Sequence, residues 1–134
     1  MTKPLACPFC QIADSEDHER ILNQNEHGFV IRDGFPVTDG HTLVIPKRHI
    51  QSFFDLTDIE RTSLLTLLDS AKAQLDVECS PAAYNVGIND GPAAGQTVRH
   101  VHIHLIPRYE VEGVDPRGGV RWVVPGKADY WSGR

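Results

Sequence analysis

This chain of 134 residues has no long apolar run, no excess of basic residues and no even number of cysteines. No segment approaches the roughly 18 consecutive apolar residues that a membrane-spanning helix requires. The first ten residues, MTKPLACPFC, lack the apolar segment of a signal peptide, so we expect a cytoplasmic protein with no membrane partner. The formal charge of −5 disfavours general nucleic-acid binding, which usually needs a basic face. Three cysteines, an odd number, do not form a disulfide framework.

The remaining composition is that of an ordinary globular protein. The chain is 40% hydrophobic and 23% charged, and it is long enough to bury a core of its own. It contains no internal repeat, low-complexity tract or linker. We therefore predict one domain over residues 1–134, with an irregular C-terminal tail over residues 110–134.

Hydrophobic periodicity predicts strands on both sides of one helix. The segment ILNQNEHGFVIRDGFP predicts two short strands around a polar turn, and HTLVIPKRH predicts a buried strand over Leu43–Ile45 that ends at Pro46. LTDIERTSLLTLLDSAKAQLDVE then has apolar residues at spacings of three and four, which is typical of an amphipathic helix. Thr57 and Glu60 form a capping-box sequence at its start. The apolar face is predicted to contain Ile59, Leu64, Leu67, Leu68, Ala71 and Leu75.

The second half of the chain predicts two further strands and the tail. AAYNVGIND and VRHVHIHLIPRY read as strands joined by the turn GPAAG, and Arg121 to Val124 forms one short strand-like run in the tail. The connection between the two strands suits an antiparallel pair and is too short for a crossover. This order favours an α+β fold in which one main helix covers an antiparallel sheet.

The stretch HVHIH places three imidazoles at every second position. On a strand, His100, His102 and His104 would share one face while Val101 and Ile103 share the other. Three interpretations compete: histidines exposed on an edge strand, ligands of a metal ion, or a nucleophilic imidazole that attacks phosphorus with neighbouring donors on the phosphate oxygens. The glycine-rich turn NDGPAAGQT directly before the strand favours the third, because its backbone N–H groups can form an anion-binding nest.

These residues resemble the signature of the histidine triad (HIT) superfamily of nucleotide hydrolases and transferases. The superfamily pattern His-φ-His-φ-His-φ-φ, with φ apolar, reads here as HVHIHLI without departure. GHTLVIPKRHI and NDGPAAGQTV also resemble blocks of that superfamily, and the likeness covers residues 7–109. It implies a five-stranded antiparallel sheet with one main helix, and a homodimer in which two sheets join into a continuous ten-stranded one.

The resemblance also implies roles for particular residues. His102 would be the nucleophile on the α-phosphorus, with His104 on the phosphate and His41 beside the site. Further substrate contacts are implied for the phosphate, the ribose hydroxyls and the walls of the base pocket. The residues that match the phosphate contacts are Asn89, Gly95, Gln96 and Thr97. Asp33 matches the contact with the ribose hydroxyls, and Phe29 and Ile31 match the walls of the base pocket. Core packing is the alternative for the last two.

The motif CPFC is ambiguous by itself. A redox role would require a thioredoxin-like strand and helix around it, which the sequence does not predict. Structural zinc needs two ligands beyond Cys7 and Cys10. Microbial histidine triad proteins that this chain is similar to use such a Cys2His2 set, with His49 and His100 as the matching residues here. The alternative is two free thiols, and no organic cofactor is expected.

The triad region looks closer to the branch that hydrolyses dinucleoside polyphosphates such as diadenosine tetraphosphate. The resemblance implies a nucleotidyl-histidine intermediate on His102 and release of a nucleoside monophosphate from an adenine nucleotide substrate. Alternatives are a purine nucleoside phosphoramidase, a diadenosine tetraphosphate phosphorylase with phosphate as second acceptor, and a nucleotide-binding scaffold protein without activity. Arg117, Arg121 and Lys127 in the tail are candidates for contact with the far phosphates, or are simply solvated.

Overall fold

Five strands form one antiparallel sheet, as predicted. Counted along the chain, they lie side by side in the order first, second, third, fifth and fourth. The computed structural model describes residues 7–15, 18–110 and 113–133. Its helices and strands are α1 (Pro8–Ala13), β1 (Asn23–Gln24), β2 (Gly28–Arg32), β3 (Thr42–Pro46), α2 (Asp58–Glu78), β4 (Ala83–Gly87), β5 (Ile103–Arg108) and α3 (Pro125–Ala128). Short 3₁₀ turns lie at Phe53–Asp55, Pro92–Ala94 and Gly119–Val123.

The expectation that the chain lacks a signal peptide concerns a segment that includes residues 1–6, which lie outside the described residues. Among the helices of the described ranges, none has both the length and the apolar character needed to cross a bilayer.

The predicted capping box at the start of α2 is confirmed. The Thr57 hydroxyl accepts a hydrogen bond from the Glu60 N–H, and the Glu60 carboxylate accepts one from the Thr57 N–H. Arg48 donates two further bonds, of 2.9 and 2.8 Å, to the two oxygens of the same carboxylate. Hydrogen bonding to Arg48 lowers the pKa of Glu60 to about 2. The start of α2 is thereby joined to the segment that follows β3.

The apolar face of α2 differs from the prediction at its first turn. Leu64, Leu67, Ala71 and Leu75 are buried as expected, but Ile59 is 66% exposed. Glu60 takes the buried position in that turn because its carboxylate is satisfied by the cap and by Arg48.

Strand register assigns each face of the sheet to a different helix. Val30, Val44 and Ile103 are aligned across β2, β3 and β5 and belong to the core beneath α2. The adjacent row contains Ile31, Leu43 and His104, and therefore points to the opposite face. On that face α1 covers β2 and β3 through a second core, whose buried members are Cys7, Phe9, Cys10, Ile12, Phe29, Ile31, Leu43 and Ile45.

The histidine strand is shorter than the sequence predicts. β5 begins at Ile103, so only His104 of the three lies within it. The preceding segment leaves the β3 ladder because the Val101 N–H donates to the Ile50 carbonyl, beyond the end of β3. Proline at the end of β3 has no N–H with which to extend the ladder. Burial still alternates, with Val101, Ile103 and Leu105 in the α2 core.

The strand predicted over Arg121–Val124 is wrong. Gly119–Val123 forms a 3₁₀ turn, and α3 follows it. Local hydrogen bonds hold this conformation: the Trp122 indole N–H donates to the Arg117 carbonyl, and the Arg121 guanidinium donates to the carbonyls of Lys127 and Ala128. Two backbone groups that a strand would offer to a partner are also satisfied within the tail, because the N–H groups of Arg121 and Val124 donate to the carbonyls of Gly118 and Arg121.

Candidate active site

A cavity of about 450 Å³, which we call the α1-side cavity, opens between α1, the loop after β2 and the glycine-rich turn. It brings together residues that the sequence places far apart, including His41, His102, His104, Asp33 and Asn89. Its remaining lining residues are Pro8, Phe9, Arg20, Gly34, Phe35, Val37, Leu43, Gly95, Thr97 and Val98.

His102 is held in one tautomer by the backbone of His100. Its Nδ1 lies 2.9 Å from the carbonyl oxygen of His100, which can only accept, so Nδ1 carries the proton. The lone pair of the neutral imidazole is therefore on Nε2. The ring packs edge-on against Phe9 and His104, with centroids 5.1 and 5.0 Å away. His102 thus presents an unprotonated nitrogen in a ring whose orientation is fixed by packing.

His41 and His104 form a hydrogen-bonded pair beside His102. The Val37 N–H donates to Nδ1 of His41 at 3.1 Å, so the neutral His41 ring is protonated on Nε2. That Nε2 donates to Nδ1 of His104, 2.9 Å away. The remaining nitrogen of His104, Nε2, therefore carries a proton, and His104 can donate a hydrogen bond while it is uncharged.

Burial keeps this pair neutral. Desolvation, together with smaller effects of His102 and His41, lowers the pKa of His104 to about 4. Desolvation also lowers the pKa of His41, against the opposing effect of Asp33. The Asp33 carboxylate lies 3.4 Å from Nε2 of His41. His41 and His104 are therefore uncharged near neutral pH.

Asp33 lies where β2 ends and lines the α1-side cavity. One carboxylate oxygen accepts the Phe35 N–H at 2.8 Å, which forms a tight local turn. The other oxygen is the one near His41. Phe35, which follows, is 90% exposed at the cavity and is an additional aromatic surface that the sequence analysis missed.

The glycine-rich turn is braced by Gln96. The buried Gln96 side chain accepts from the Gly91 N–H at 2.7 Å and donates to the carbonyls of Gln51 and Val98 at 3.0 Å each. Gly91 and Gly95 have φ of +96° and +98°, values that favour glycine. The Gln96 amide is thus engaged within the turn, whereas Gly95, Thr97 and Asn89 line the cavity.

Phe29 and Ile31 are not walls of the cavity. Both are fully buried in the core between β2, β3 and α1, and the residues that line the cavity on this side are Phe9, Leu43 and Val98. The correction follows from register: Leu43 on β3 lies beside Ile31 on β2, and only Leu43 borders the opening. Phe9, inside the CPFC motif, was missed because its place depends on how α1 packs.

The structure also brings the two cysteines to His49 and His100. One ligand atom from each of the four residues lies within 4.8 Å of the others. The Cys10 sulfur is 3.2 Å from Nδ1 of His49, and the Cys7 sulfur is 3.4 Å from Nδ1 of His100. A tetrahedral zinc ion separates sulfur and nitrogen ligands by roughly 3.6 Å.

The protonation pattern at His100 suits a metal ligand. Its Nε2 lies 2.7 Å from the Pro46 carbonyl oxygen, so Nε2 carries the proton and Nδ1 offers a lone pair to the cysteine sulfurs. A backbone carbonyl on the second ring nitrogen is the usual partner of a zinc-bound histidine. His100 is also completely buried. The four residues therefore fit zinc in number, donor type and orientation.

A second cavity, of about 480 Å³, is also lined by His41 and His104 and is called here the tail-side cavity. It shares Val37, His41, His104 and Asn89 with the α1-side cavity. Its other lining residues come from β4, β5, the loop before β3 and the tail: Thr38, Asn85, Val86, Gly87, Ile106, Arg108, Gly119 and Val120.

Comparison with known proteins gives one family. The sequence profile of the HIT domain matches residues 14–111. A 16.1 kDa HIT-like protein of Mycoplasma pneumoniae is 42% identical over 105 residues, which is 78% of this chain and 72% of that protein. The crystal structure of a HIT family protein from Bacillus anthracis has a TM-score of 0.73 and 38% identity, covering 80% of this chain and 76% of that one.

Other relatives have names that state an activity or a metal. The asymmetrical bis(5′-nucleosyl)-tetraphosphatase of Schizosaccharomyces pombe is 44% identical over 77 residues, 58% of this chain and 42% of that protein. The AP-4-A phosphorylase of Mycobacterium tuberculosis is 30% identical over 106 residues, 78% and 54% of the two. A Zn-bound histidine triad family protein from Mycobacterium smegmatis has a TM-score of 0.73 and 31% identity, covering 82% and 80%.

Proposed function

The chain belongs to the HIT domain family, and from that premise we propose that it is a nucleotidyl hydrolase that cleaves dinucleoside polyphosphates such as diadenosine tetraphosphate. The observation that carries the proposal is the hydrogen bond from His102 Nδ1 to the His100 carbonyl. It leaves Nε2 unprotonated in a ring that lines the α1-side cavity, and an unprotonated, oriented nitrogen is what attack on phosphorus requires. The named activity of the Schizosaccharomyces pombe relative supports the substrate class.

In the first step, Nε2 of His102 bonds to the α-phosphorus and the bond from phosphorus to the bridging oxygen breaks. The electron pair leaves with that oxygen as part of a nucleotide anion. The protonated Nε2 of His104 donates to an α-phosphate oxygen, with His41 holding the His104 tautomer. Neutral donors fixed in place before the reaction stabilise developing charge without reorganisation.

In the second step, water bonds to the phosphorus of the nucleotidyl-histidine. The phosphorus–nitrogen bond breaks, its electron pair returns to Nε2, and the surplus proton passes to solvent. The products are a nucleoside monophosphate and the remaining nucleotide. Asp33 accepts hydrogen bonds from the ribose hydroxyls, and Gly95, Thr97 and Asn89 contact the phosphate; these assignments rest on their positions around the cavity.

Cys7, Cys10, His49 and His100 are proposed to hold a structural zinc ion. When bound, zinc cross-links α1 to the segments after β3 and before β5 and supplies no step of the reaction. The fit of the donor set and the zinc-bound relative support the assignment. Measuring zinc in protein purified without chelator tests it directly.

A homodimer with a continuous ten-stranded sheet is proposed as the assembly. β4 lies at one end of the sheet and β1, with two residues, at the other. Of the two edge strands, β4 is the one long enough to pair with a second copy. Light scattering that gives twice the 14.9 kDa chain mass supports the dimer, and the chain mass itself contradicts it.

The test of function is a product analysis. The protein is incubated separately with diadenosine tetraphosphate and with adenosine 5′-phosphoramidate, and kcat/KM is compared. Preferred cleavage of the tetraphosphate to AMP and ATP supports the proposal, whereas preferred cleavage of the phosphoramidate replaces it with a phosphoramidase. Cleavage of neither substrate, with intact nucleotide binding, favours a scaffold protein.

A phosphorylase is the second candidate, because the Mycobacterium tuberculosis relative bears that name. In a phosphorylase, phosphate instead of water accepts the nucleotidyl group, so the products from the tetraphosphate are ADP and ATP. Adding inorganic phosphate to the product assay separates the two: AMP that persists identifies the hydrolase, and ADP that replaces it identifies the phosphorylase.

A further inference from the structure

The two cavities meet at the catalytic histidines but do not share the nucleophile. His41, His104 and Asn89 line both. His102 and Asp33 line only the α1-side cavity. The tail-side cavity therefore begins where the attacked phosphate would sit and extends away from the attacking nitrogen.

We propose that the tail-side cavity binds the leaving group of the reaction, and that Arg108 selects a leaving group that carries phosphate. This inference rests on the proposed nucleotidyl transfer to His102 and adds to it a site for the departing half of the substrate. The substrate class it implies is a nucleotide ester or anhydride whose second half is anionic.

In-line displacement places the leaving group opposite the nucleophile. With His102 on one side of the phosphorus and the nucleoside near Asp33, the bridging oxygen points away from both. The tail-side cavity shares His104 and Asn89 with the α1-side cavity and is not lined by His102 or Asp33, so it is the space available to the leaving group. Its volume of about 480 Å³ is within the range of small-molecule sites, so a second nucleotide is an occupant of suitable size.

The lining of the tail-side cavity matches a nucleotide. Arg108 supplies a positive charge, and its Nη1 donates to Oδ1 of Asn85 at 2.5 Å, which orients the guanidinium. Arginine is suited to phosphate because its donors form a rigid planar fork. Ile106, Val37 and Val120 provide the apolar surface that a base needs. An uncharged or cationic leaving group would gain nothing from the arginine.

The tail contributes one wall through a close approach to β4. Gly119 has φ of +46°, and a Cβ built on it would lie 3.2 Å from Nδ2 of Asn85. Val120 follows and lines the cavity. Both residues lie outside the region 14–111 that matches the family profile. Part of the proposed leaving-group site is thus formed by a segment that the family profile does not include.

The test compares two substrates with the same adenosine half. Diadenosine tetraphosphate has a nucleotide leaving group, whereas adenosine 5′-phosphoramidate releases ammonia, which is too small to reach Arg108. We expect Arg108→Ala to lower kcat/KM for the tetraphosphate by about tenfold, as for loss of a charged hydrogen bond, and to change the phosphoramidate less than twofold. Lys72→Ala is the matched control for loss of one positive charge, because Lys72 pairs with Asp76 on the exposed surface of α2 and lines neither cavity.

A second pair of variants tests the tail wall. Val120→Glu places a negative charge at the cavity and is expected to lower kcat/KM for the tetraphosphate selectively. Val123→Glu changes the charge equally at a residue that is 80% exposed and outside the cavity lining, and is expected to have little effect. The proposal is overturned if Arg108→Ala lowers kcat/KM equally for both substrates. It is also overturned if the control variants lower kcat/KM for the tetraphosphate as much as Arg108→Ala and Val120→Glu do.

Binding measurements separate this inference from the proposed function. A methylene-bridged, uncleavable tetraphosphate analogue and AMP are titrated into wild-type protein and Arg108→Ala. Weaker binding of the analogue by about tenfold, with unchanged AMP binding, supports the leaving-group site even when the wild type turns over neither substrate. Unchanged binding of the analogue contradicts it, whatever the activity.

Discussion

His102 donates a hydrogen bond from Nδ1 to the backbone carbonyl of His100, 2.9 Å away. The side chain of His100 belongs to the Cys/His cluster, and its Nε2 is bound to the Pro46 carbonyl. One residue thus fixes the tautomer of the proposed nucleophile with its backbone and anchors α1 with its side chain. The candidate reaction site and the candidate zinc site are therefore joined through one residue, His100.

His102→Ala is expected to lower kcat by at least about a thousandfold, because it removes the nitrogen that bonds to phosphorus. The dissociation constant for AMP should change little, since Asp33 and the glycine-rich turn remain. Steady-state kinetics and calorimetric titration measure the two quantities. His27→Ala is the matched control, because His27 lines neither cavity and its Nε2 lies 3.9 Å from the exposed Glu26 carboxylate. Substantial turnover by pure His102→Ala would contradict the assignment.

The His41–His104 hydrogen bond predicts a rescue by glutamine. His41→Ala removes the N–H that holds Nδ1 of His104, so the His104 ring is free to change tautomer. We expect kcat to fall by about ten- to a hundredfold with a smaller change in KM, as for loss of a positioning hydrogen bond in the transition state. His41→Gln retains an N–H donor near the position of Nε2 and should recover part of the loss. If alanine and glutamine behave alike, the pair does not act through this bond.

Acid should destabilise the protein through His104. Its pKa in the folded state is about 4, below the ordinary value of 6.5, so the unfolded chain binds this proton first as the pH falls. The free energy of unfolding therefore falls as pH decreases from about 6.5 to 4, and this contribution is flat above 6.5. Urea denaturation at several pH values measures it.

The variant His104→Asn supplies the comparison. It has no titrating ring, so its stability should depend less steeply on pH than that of the wild type between pH 6.5 and 4. Acid-sensitive groups outside the His41–His104 pair affect both proteins equally, so the difference reports on that pair. Identical slopes for the two proteins would show that the His104 pKa is not lowered in the folded state.

Local patterns were enough to predict most of the fold and less of the site. The capping box of Thr57 and Glu60 depends on residues three positions apart, and the sequence contains both partners. The buried position of Glu60 depends also on Arg48, which approaches from another segment, and was not predicted. Likewise, a period of two cannot show that Val101 bonds to Ile50 and that β5 therefore begins late.

The base pocket shows the same limit. Phe29 and Ile31 have the composition of a pocket wall, but strand register puts them in the core beneath α1. Phe9 lines the cavity because α1 folds over the sheet, and that placement is held by contacts with residues some 90 positions away in the chain. Contacts at such separation leave no periodic signal in the sequence. A family resemblance supplied the Cys/His grouping that periodicity could not.

The cysteines allow the zinc site to be tested with an internal control. Cys7→Ser replaces a buried cysteine of the proposed zinc site, and we expect zinc content to fall well below one ion per chain. Loss of this cross-link, if it costs about 3 kcal/mol, lowers Tm by roughly 10 °C in a domain of this size. Cys79→Ser leaves both quantities near wild type, because Cys79 lies after α2, outside the four-residue cluster. Elemental analysis measures the zinc content, and thermal denaturation measures Tm.

Absence of zinc from wild-type protein purified without chelator, or an equal fall in zinc content in both variants, would contradict the assignment. Because His100 links the cluster to His102, the Cys7→Ser protein should also lose turnover more than AMP binding.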